Sequence, residues 1–354
     1  MLHYFRFSEQ QKYGLPAISE FNDICFPFRR PHIAYDCYRF AENPFAAAEK
    51  DYLYGVEKDG KYIAQMLTMP SPLSLNEKEI PAFWGQDYFV LDEFRGKGIG
   101  KELANYYLKN NYYIAVGFAP KSAVIHQKMG ARKIGYLDLY RKWASPFSKI
   151  KFLFQRAFKI QSKKISDYQF PETVNDFEQI KSADELYLPK LNWNKDVLES
   201  IRNKAYFEWR FLYRPDCYFV YQSKNRSSEN PAYFVCKAYF YKGVNWLKVV
   251  DYRFDNSDQN EFENILDTAE ILRKKLKLFG VLISSSQKIS SQLLRNKKFE
   301  RYKHEIVLTT YPFTHSETEE EHNYFMISFA DSDLDMHNHL GRFNFEEAAE
   351  RTIQ

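Results

Sequence analysis

The chain is poor in cysteine, with only Cys25, Cys37, Cys217 and Cys236 among 354 residues. No two of them stand in C-x-x-C spacing and none has histidines at metal-site intervals, which argues against a zinc site or a disulfide framework. They read as reduced thiols of a cytoplasmic protein without a metal. Long hydrophobic runs are missing too. No stretch approaches the roughly 20 apolar residues of a membrane span, and the N-terminus has no charged-then-apolar leader. An excess of one charge is also lacking: the formal net charge is only +4, so composition does not call for nucleic acid as a partner. What remains is a globular composition, 45% hydrophobic and 27% charged, with 27 Tyr and 31 Phe. At about 100–200 residues per domain, the length suits two domains.

Glycine is scarce as well, 13 in all, so three at alternate positions stand out: Gly96, Gly98 and Gly100. They follow an aromatic and β-branched run, Phe83-Trp84-Gly85-Gln86-Asp87-Tyr88-Phe89-Val90-Leu91, and precede a helix-forming stretch from Lys101 to Asn110. Strand, glycine turn and helix start, in that order, form a phosphate-binding arrangement. Glycines let backbone N–H groups approach an anion, and the new helix offers unpaired donors at its positive end. Arg95, Lys97 and Lys101 add charge. A Walker loop needs Ser or Thr after Gly-Lys, but Glu102 follows Gly100-Lys101. A dinucleotide fingerprint needs G-x-G-x-x-G and a later acid; here the pattern is G-x-G-x-G, and Gly117-Phe118-Ala119-Pro120 occupies the acid's place.

Arg95-Gly96-Lys97-Gly98-Ile99-Gly100 resembles the acetyl-CoA loop of the GNAT N-acyltransferases, Arg/Gln-x-x-Gly-x-Gly/Ala. A second segment, Ile125-His126-Gln127-Lys128-Met129-Gly130-Ala131, is similar to the family's Leu-Tyr-Glu-Lys-Leu-Gly-Phe. Between them Tyr112–Phe118 reads as a buried strand. Before them Asp51–Gln65 reads as a hairpin about Asp59-Gly60. The resemblance covers residues 50–143 in detail and implies an α/β (α+β) fold, a mixed, mostly antiparallel twisted sheet flanked by helices. Residues 169–340 repeat the same order of strands and helices, with Asp251-Tyr252-Arg253-Phe254-Asp255-Asn256 where the glycines should stand. The expected organisation is a catalytic GNAT domain (1–146), a basic linker (147–168), a degenerate GNAT-like domain contributing to the acceptor site (169–340) and a tail (341–354).

Within the linker, from Ser148 to Ile165, Ile150, Leu153, Phe154, Ala157 and Phe158 recur at helical spacing among Lys149, Lys151, Arg156, Lys159, Lys163 and Lys164, with no acid in that span. Such a helix suits weak association with an anionic membrane surface, or a bridge packed between domains.

The resemblance assigns roles. Acetyl-CoA, or another acyl-CoA, would be the co-substrate, held by the backbone of Phe89, Val90 and Leu91 and by Arg95, Gly96, Lys97, Gly98, Ile99, Gly100 and Lys101. Asp87 is the candidate base for the acceptor amine, against an ordinary strand-end Asp. His126 stands where the family places the tyrosine acid, and an imidazolium of pKa about 6.5 would serve; the alternative is a helix-surface histidine, with a nearby tyrosine or solvent as acid. Trp84, Gln86 and Trp143 would wall the acceptor pocket, and Arg210 would grip a phosphate or carboxylate of the acceptor. Asp331-Ser332-Asp333-Leu334-Asp335 could draw in a cationic amine, or be a solvated turn like the Glu317–Glu321 run. The implied function is acyl transfer to a small-molecule amine, an amino sugar or nucleotide-linked amino sugar of surface-polysaccharide synthesis. The alternatives are a peptidoglycan-bridge type of aminoacyl transfer and a non-catalytic acyl-CoA binder.

Overall fold

The computed structural model describes residues 1–9, 14–27, 32–46, 53–109, 111–117, 120–158, 164–189, 191–213, 218–225, 230–241, 244–310 and 324–331. The first half opens with β1 (Leu2–Arg6), α1 (Leu15–Cys25) and α2 (His32–Phe40). The hairpin follows as β2 (Leu53–Lys58) and β3 (Lys61–Pro70), turning at Asp59-Gly60, both at positive φ. Two short strands, β4 (Leu73–Leu75) and β5 (Lys78–Ile80), lead to β6 (Phe83–Val90), α3 (Ile99–Leu108), β7 (Tyr113–Val116), α4 (Pro120–Lys128) and β8 (Arg132–Trp143). After α5 (Pro146–Phe158) the second half begins with β9 (Thr173–Val174), β10 (Phe177–Ile180), β11 (Leu198–Ser200), α6 (Lys204–Phe207), β12 (Phe219–Ser223) and β13 (Tyr233–Tyr241). It then runs β14 (Val244–Arg253), α7 (Gln259–Lys275), β15 (Gly280–Ser285), α8 (Lys288–Asn296), β16 (Glu300–Thr309) and β17 (Phe325–Met326).

The α/β class expected from the sequence holds: mixed sheets flanked by helices. The halves do not each close their own sheet. Their strands form one 13-stranded sheet in the order β1-β2-β3-β6-β7-β16-β8-β15-β14-β13-β12-β10-β9. Each half lends its last strand to the other. β16 of the second half lies antiparallel between β7 and β8 of the first, pairing Val307 with Val116 on one side and with Gly135 on the other. β8 in turn pairs with β15. A second sheet of four strands, β17-β11-β4-β5, is also drawn from both halves. The largest buried cluster follows this exchange, with Trp84, Ile114 and Leu137 packed in one core with Phe207, Val250 and Phe325. Trp209 Nε1 donates to Tyr38 O across the same boundary at 3.0 Å.

Two further expectations change. Four apolar side chains of α5, Phe147, Ile150, Leu153 and Phe154, are more than half exposed, so the apolar stripe is not buried between domains. The helix is anchored instead by Phe152 against Trp143 and by the Lys149–Glu300 ion pair, 2.7 Å. Trp143 itself lies edge-on to Trp246, so it belongs to a satellite core and not to a pocket wall. The Glu317–Glu321 run, Asp333, Asp335 and the tail 341–354 lie outside the described residues. No helix among the described residues is long and apolar enough to cross a membrane.

Candidate functional site

β6 and β7 are parallel neighbours for only two residue pairs, Phe83 with Tyr113 and Trp84 with Ile114. From Gly85 onward β6 continues on β3 while β7 is held by β16, so the two strands part. A wedge with an open backbone edge results. It opens toward the C-terminal ends of both strands, where Asp92–Gly98 leads into α3.

That helix starts without a side-chain cap. Gly98 sits at its N-cap with φ +81°, a left-handed conformation available at little cost only to glycine. A Cβ on Gly98 would meet nothing within 4 Å, so open space lies before the helix end. The first N–H groups of α3 have no intrahelical acceptor and point into that space. Lys97 and Lys101 are exposed beside it. Arg95 is more committed: it pairs with Asp92 at 2.8 Å, donates through Nε to Val90 O at 2.9 Å and lies over the Phe89 ring. The Leu91 N–H is turned to Ile63 O of β3, so among the backbone groups expected to touch a ligand this amide is already used.

Midway along the wedge β6 bulges. Phe89 pairs with Gln65 and Gln86 with Leu67, which leaves Asp87 and Tyr88 opposite Met66 alone. Asp87 takes a φ of +31°, uncommon for a non-glycine residue. It is held there by Arg39 of α2, fully buried, whose Nη2 lies 2.7 Å from Asp87 and 2.6 Å from Asp36. Arg39 Nη1 also donates to Gln86 Oε1. Burial opposes the charge on Arg39, but Asp87 and Asp36 outweigh it and keep the guanidinium protonated. Asp36 is itself pushed up by burial, against Arg39. The candidate base is therefore an ion-paired carboxylate whose side chain is 4% exposed.

His126 is not on the surface either; it is 1% exposed. Its Nδ1 donates to Ser122 O at 2.8 Å, which fixes the tautomer, and Nε2 accepts from Tyr113 OH at 3.2 Å. Burial lowers its pKa, only partly offset by the Ser122 carbonyl. The imidazole is neutral and fully bonded, which corrects its reading as a cationic acid. Tyr113, stacked on it, passes so close to β6 that a Cβ on Gly85 would lie 2.1 Å from the phenol oxygen. The side chain that faces the start of α3 is Tyr88. Its hydroxyl lies 2.5 Å from where a Gly100 Cβ would be, and burial raises its pKa to about 12. Arg39 and Tyr88 escaped the sequence reading. The signal was present only for Tyr88, which sits between two assigned positions.

The remaining acceptor residues are displaced from the wedge. Trp84 is 1% exposed within the shared core. Gln86 is buried against Arg39 and Met69. Arg210 is 1% exposed and its guanidinium donates to Ala330 O and Tyr218 OH, both of the second half, so it is committed within that half's core. Asp331 is buried on Arg202 at 2.7 Å and is no lure for an amine. No group of three metal-ligating side chains occurs among the described residues.

Residues 15–121 match the acetyltransferase (GNAT) family. No curated protein matches the chain. Among solved structures, the GCN5-related N-acetyltransferase of Anabaena variabilis shares the fold at TM-score 0.55 and 11% identity, over 87% of this chain and 72% of its own. The N-myristoyltransferase of Saccharomyces cerevisiae, solved with bound myristoyl-CoA, does so at TM-score 0.52 and 14% identity, over 87% and 78%. A probable N-acyltransferase of Enterococcus faecalis aligns at TM-score 0.55 and 11% identity, again over 87% and 72%. The family match spans the strands, loop and helix that build the wedge, and that segment is what this chain shares with the acetyltransferase (GNAT) family.

Proposed function

We propose that the wedge between β6 and β7 binds acetyl-CoA and that the protein transfers the acetyl group to the amine of an amino sugar, nucleotide-linked and used in surface-polysaccharide synthesis. The observation that carries this reading is the parted strand pair ending at an uncapped, glycine-started helix. The helix end and the exposed Lys97 and Lys101 receive the pyrophosphate. The open edge of β6 pairs with the pantetheine amides as a strand would. The thioester supplies an activated acyl group beside the Asp87–Tyr88 bulge. There the amine nitrogen forms its bond to the carbonyl carbon as the carbon–sulfur bond breaks, and the amine's extra proton goes to solvent. Tyr88, neutral throughout the working pH range, gives its proton to the departing thiolate and is reprotonated from water. Asp87 fixes the bulge through Arg39 and acts as a positioning residue. The second half is a degenerate copy of the first, kept for the strand it lends and for the acceptor side of the cleft.

Thiol release from acetyl-CoA with a panel of amines tests this. Tyr88→Phe should lower kcat by roughly 10²- to 10⁴-fold with the KM for acetyl-CoA little changed, the range of a general acid. Full activity in that variant removes Tyr88 as the acid, and no release with any amine removes the transferase reading. A second site of action is suggested by α5, with its outward apolar side chains and acid-free run of lysines. We propose weak binding to anionic bilayers. Co-sedimentation with phosphatidylglycerol vesicles, lost in Leu153→Ser/Phe154→Ser, is expected; equal sedimentation with neutral vesicles would refute it.

A further inference from the structure

The exchanged strands carry a cavity of about 290 Å³ away from the wedge, where β15 ends and α8 begins. On one wall Lys288, Ser291 and Arg295 stand at i, i+3 and i+7 of α8 and so share one helix face. Facing them are Arg301 and His304 of β16. Asp138 of β8, buried beneath, accepts from Arg301 at 3.2 Å and from Nδ1 of His304. The Tyr136 ring lies on the imidazole, centroids 3.6 Å apart. Arg301 and His304 are thus oriented from behind by a carboxylate and an aromatic ring. Arg295 has no acidic partner among the described residues. Among the described residues lining the cavity, Lys288, Arg295 and Arg301 stand with Asp138 as the one carboxylate, and α8 starts at Gln287 without a side-chain cap, so its first N–H groups add positive potential.

The cavity's place in the sheet ties it to the wedge. Val116, at the end of β7, pairs with Val307, which pairs with Gly135 on the cavity floor. Two strand spacings separate them, about 10 Å. Leu137 and Val307 point into the shared core, so alternation puts Tyr136, Asp138 and His304 on the opposite face. Tyr113, which carries His126, lies on that same face, since Ile114 points into the core.

We infer that this cavity seats the phosphate of a phosphorylated amine acceptor; the acceptor part of this rests on the acyl-transfer reading above. A planar carboxylate would be satisfied by one guanidinium fork. Cations on two facing walls plus a helix end suit a tetrahedral dianion approached from several sides. The volume, just under that of drug-sized sites, takes a phosphomonoester and leaves the amine-bearing ring to reach toward β7.

Glucosamine and glucosamine 6-phosphate, compared in thiol release from acetyl-CoA, test the assignment. The phosphorylated sugar should be preferred in kcat/KM by roughly 10- to 100-fold, as for charge-assisted phosphate contacts. The double variant Lys288→Glu/Arg295→Glu should lose that preference while binding acetyl-CoA as the wild type does, which also reports an intact fold. Equal use of both sugars by the wild type, or a preference that survives in the variant, overturns the inference. Should neither sugar release thiol, that counts against these two acceptors and not against acyl transfer to the nucleotide-linked sugar proposed above. Calorimetric titration with glucosamine 6-phosphate then decides the site alone: binding lost in the double variant upholds it, and no binding to the wild type overturns it.

Discussion

The two halves each contain a parallel strand pair that parts after two residue pairs, β6 with β7 and β14 with β15. One wedge is open and the other is filled. In the second, residues 325–331 lie between the strands. Ser328 Oγ donates to Asp251 of β14 at 2.6 Å, and the Ile327 N–H donates to Ser286 Oγ, just past β15, at 2.8 Å. Arg202 joins Asp251 and Asp331 at 2.8 and 2.7 Å, and Arg253 reaches Glu199 and Asp251. The helix ends differ in the same sense. α3 begins at the bare Gly98, whereas the side chain of Asp258 accepts from Asn260 N and caps α7. A carboxylate thus holds the place a phosphate would take, with Asp255 and Glu261 beside it. The same topology makes a ligand cleft or a structural core, depending on whether the chain itself supplies the missing strand and anion.

The largest test of that contrast is to pull the plug. Burial opposes ionisation of Asp251, but Arg202 and Arg253 outweigh it and hold the carboxyl well below the usual range. Removing one member of such a buried network strands charge on the others. Arg202→Ala should therefore cost about 3–5 kcal/mol in urea unfolding. Calorimetric titration should still find one acetyl-CoA per chain, because Asp258 continues to occupy the α7 terminus. A second equivalent would mean that the plug alone separates the two wedges.

The complementary change gives the first wedge the second's cap. Gly98→Asp is chosen because Asp tolerates the left-handed conformation better than most side chains. A cap gain of about a few tenths of a kcal/mol over glycine is offset by the strain of a side chain at φ +81°, so stability should be unchanged or slightly lower. At the same time acetyl-CoA affinity should fall, on the order of 100-fold, since a fixed carboxylate then fills the anion site. A large loss of affinity with near-wild-type urea stability separates this from simple damage. Unchanged affinity would show that the helix end does not receive the cofactor.

These tests turn on features of different legibility in the sequence. The loop from Arg95 to Lys101 was readable because glycine spacing, flanking cations and the strand-to-helix change are all local. The element order of the second half was readable for the same reason. The exchange of β8 and β16 was not, since strand patterning says that a segment pairs and not with which partner. Nor could sequence spacing place Arg39 beside Asp87, or show that Arg210 and Asp331 are consumed in the core. Both pairings join distant segments and depend on the fold being already formed. The displaced assignments share a physical cause: polar residues read as ligands are the ones that satisfy buried groups of distant segments within their own half.

The smallest test uses the two short helices that follow the parted strands. Ala131 N donates to His126 O as Phe299 N does to Leu294 O, with Gly130 and Lys298 at positive φ in each turn, so His126 and the buried Leu294 are equivalent. The first half keeps a titratable group where the second keeps a hydrocarbon. His126 has a lowered pKa because burial penalises its charged form. Below about pH 6.5 an unfolded chain binds a proton there that the folded one resists, so this residue's contribution to stability is lost as pH falls through that value and is constant above it. Wild-type stability should thus decline between pH 7 and pH 5 by an amount on the order of 1 kcal/mol beyond that of His126→Leu. Urea midpoints measured across that range for both proteins supply the difference. The variant also leaves Tyr113 OH without its acceptor, a loss of about 1 kcal/mol that is the same at every pH. A constant offset between the two curves is therefore the packing and hydrogen-bond effect, and only their divergence on the acid side belongs to the imidazole. Parallel curves would mean that His126 accepts its proton within the folded protein and is not the neutral group its burial implies.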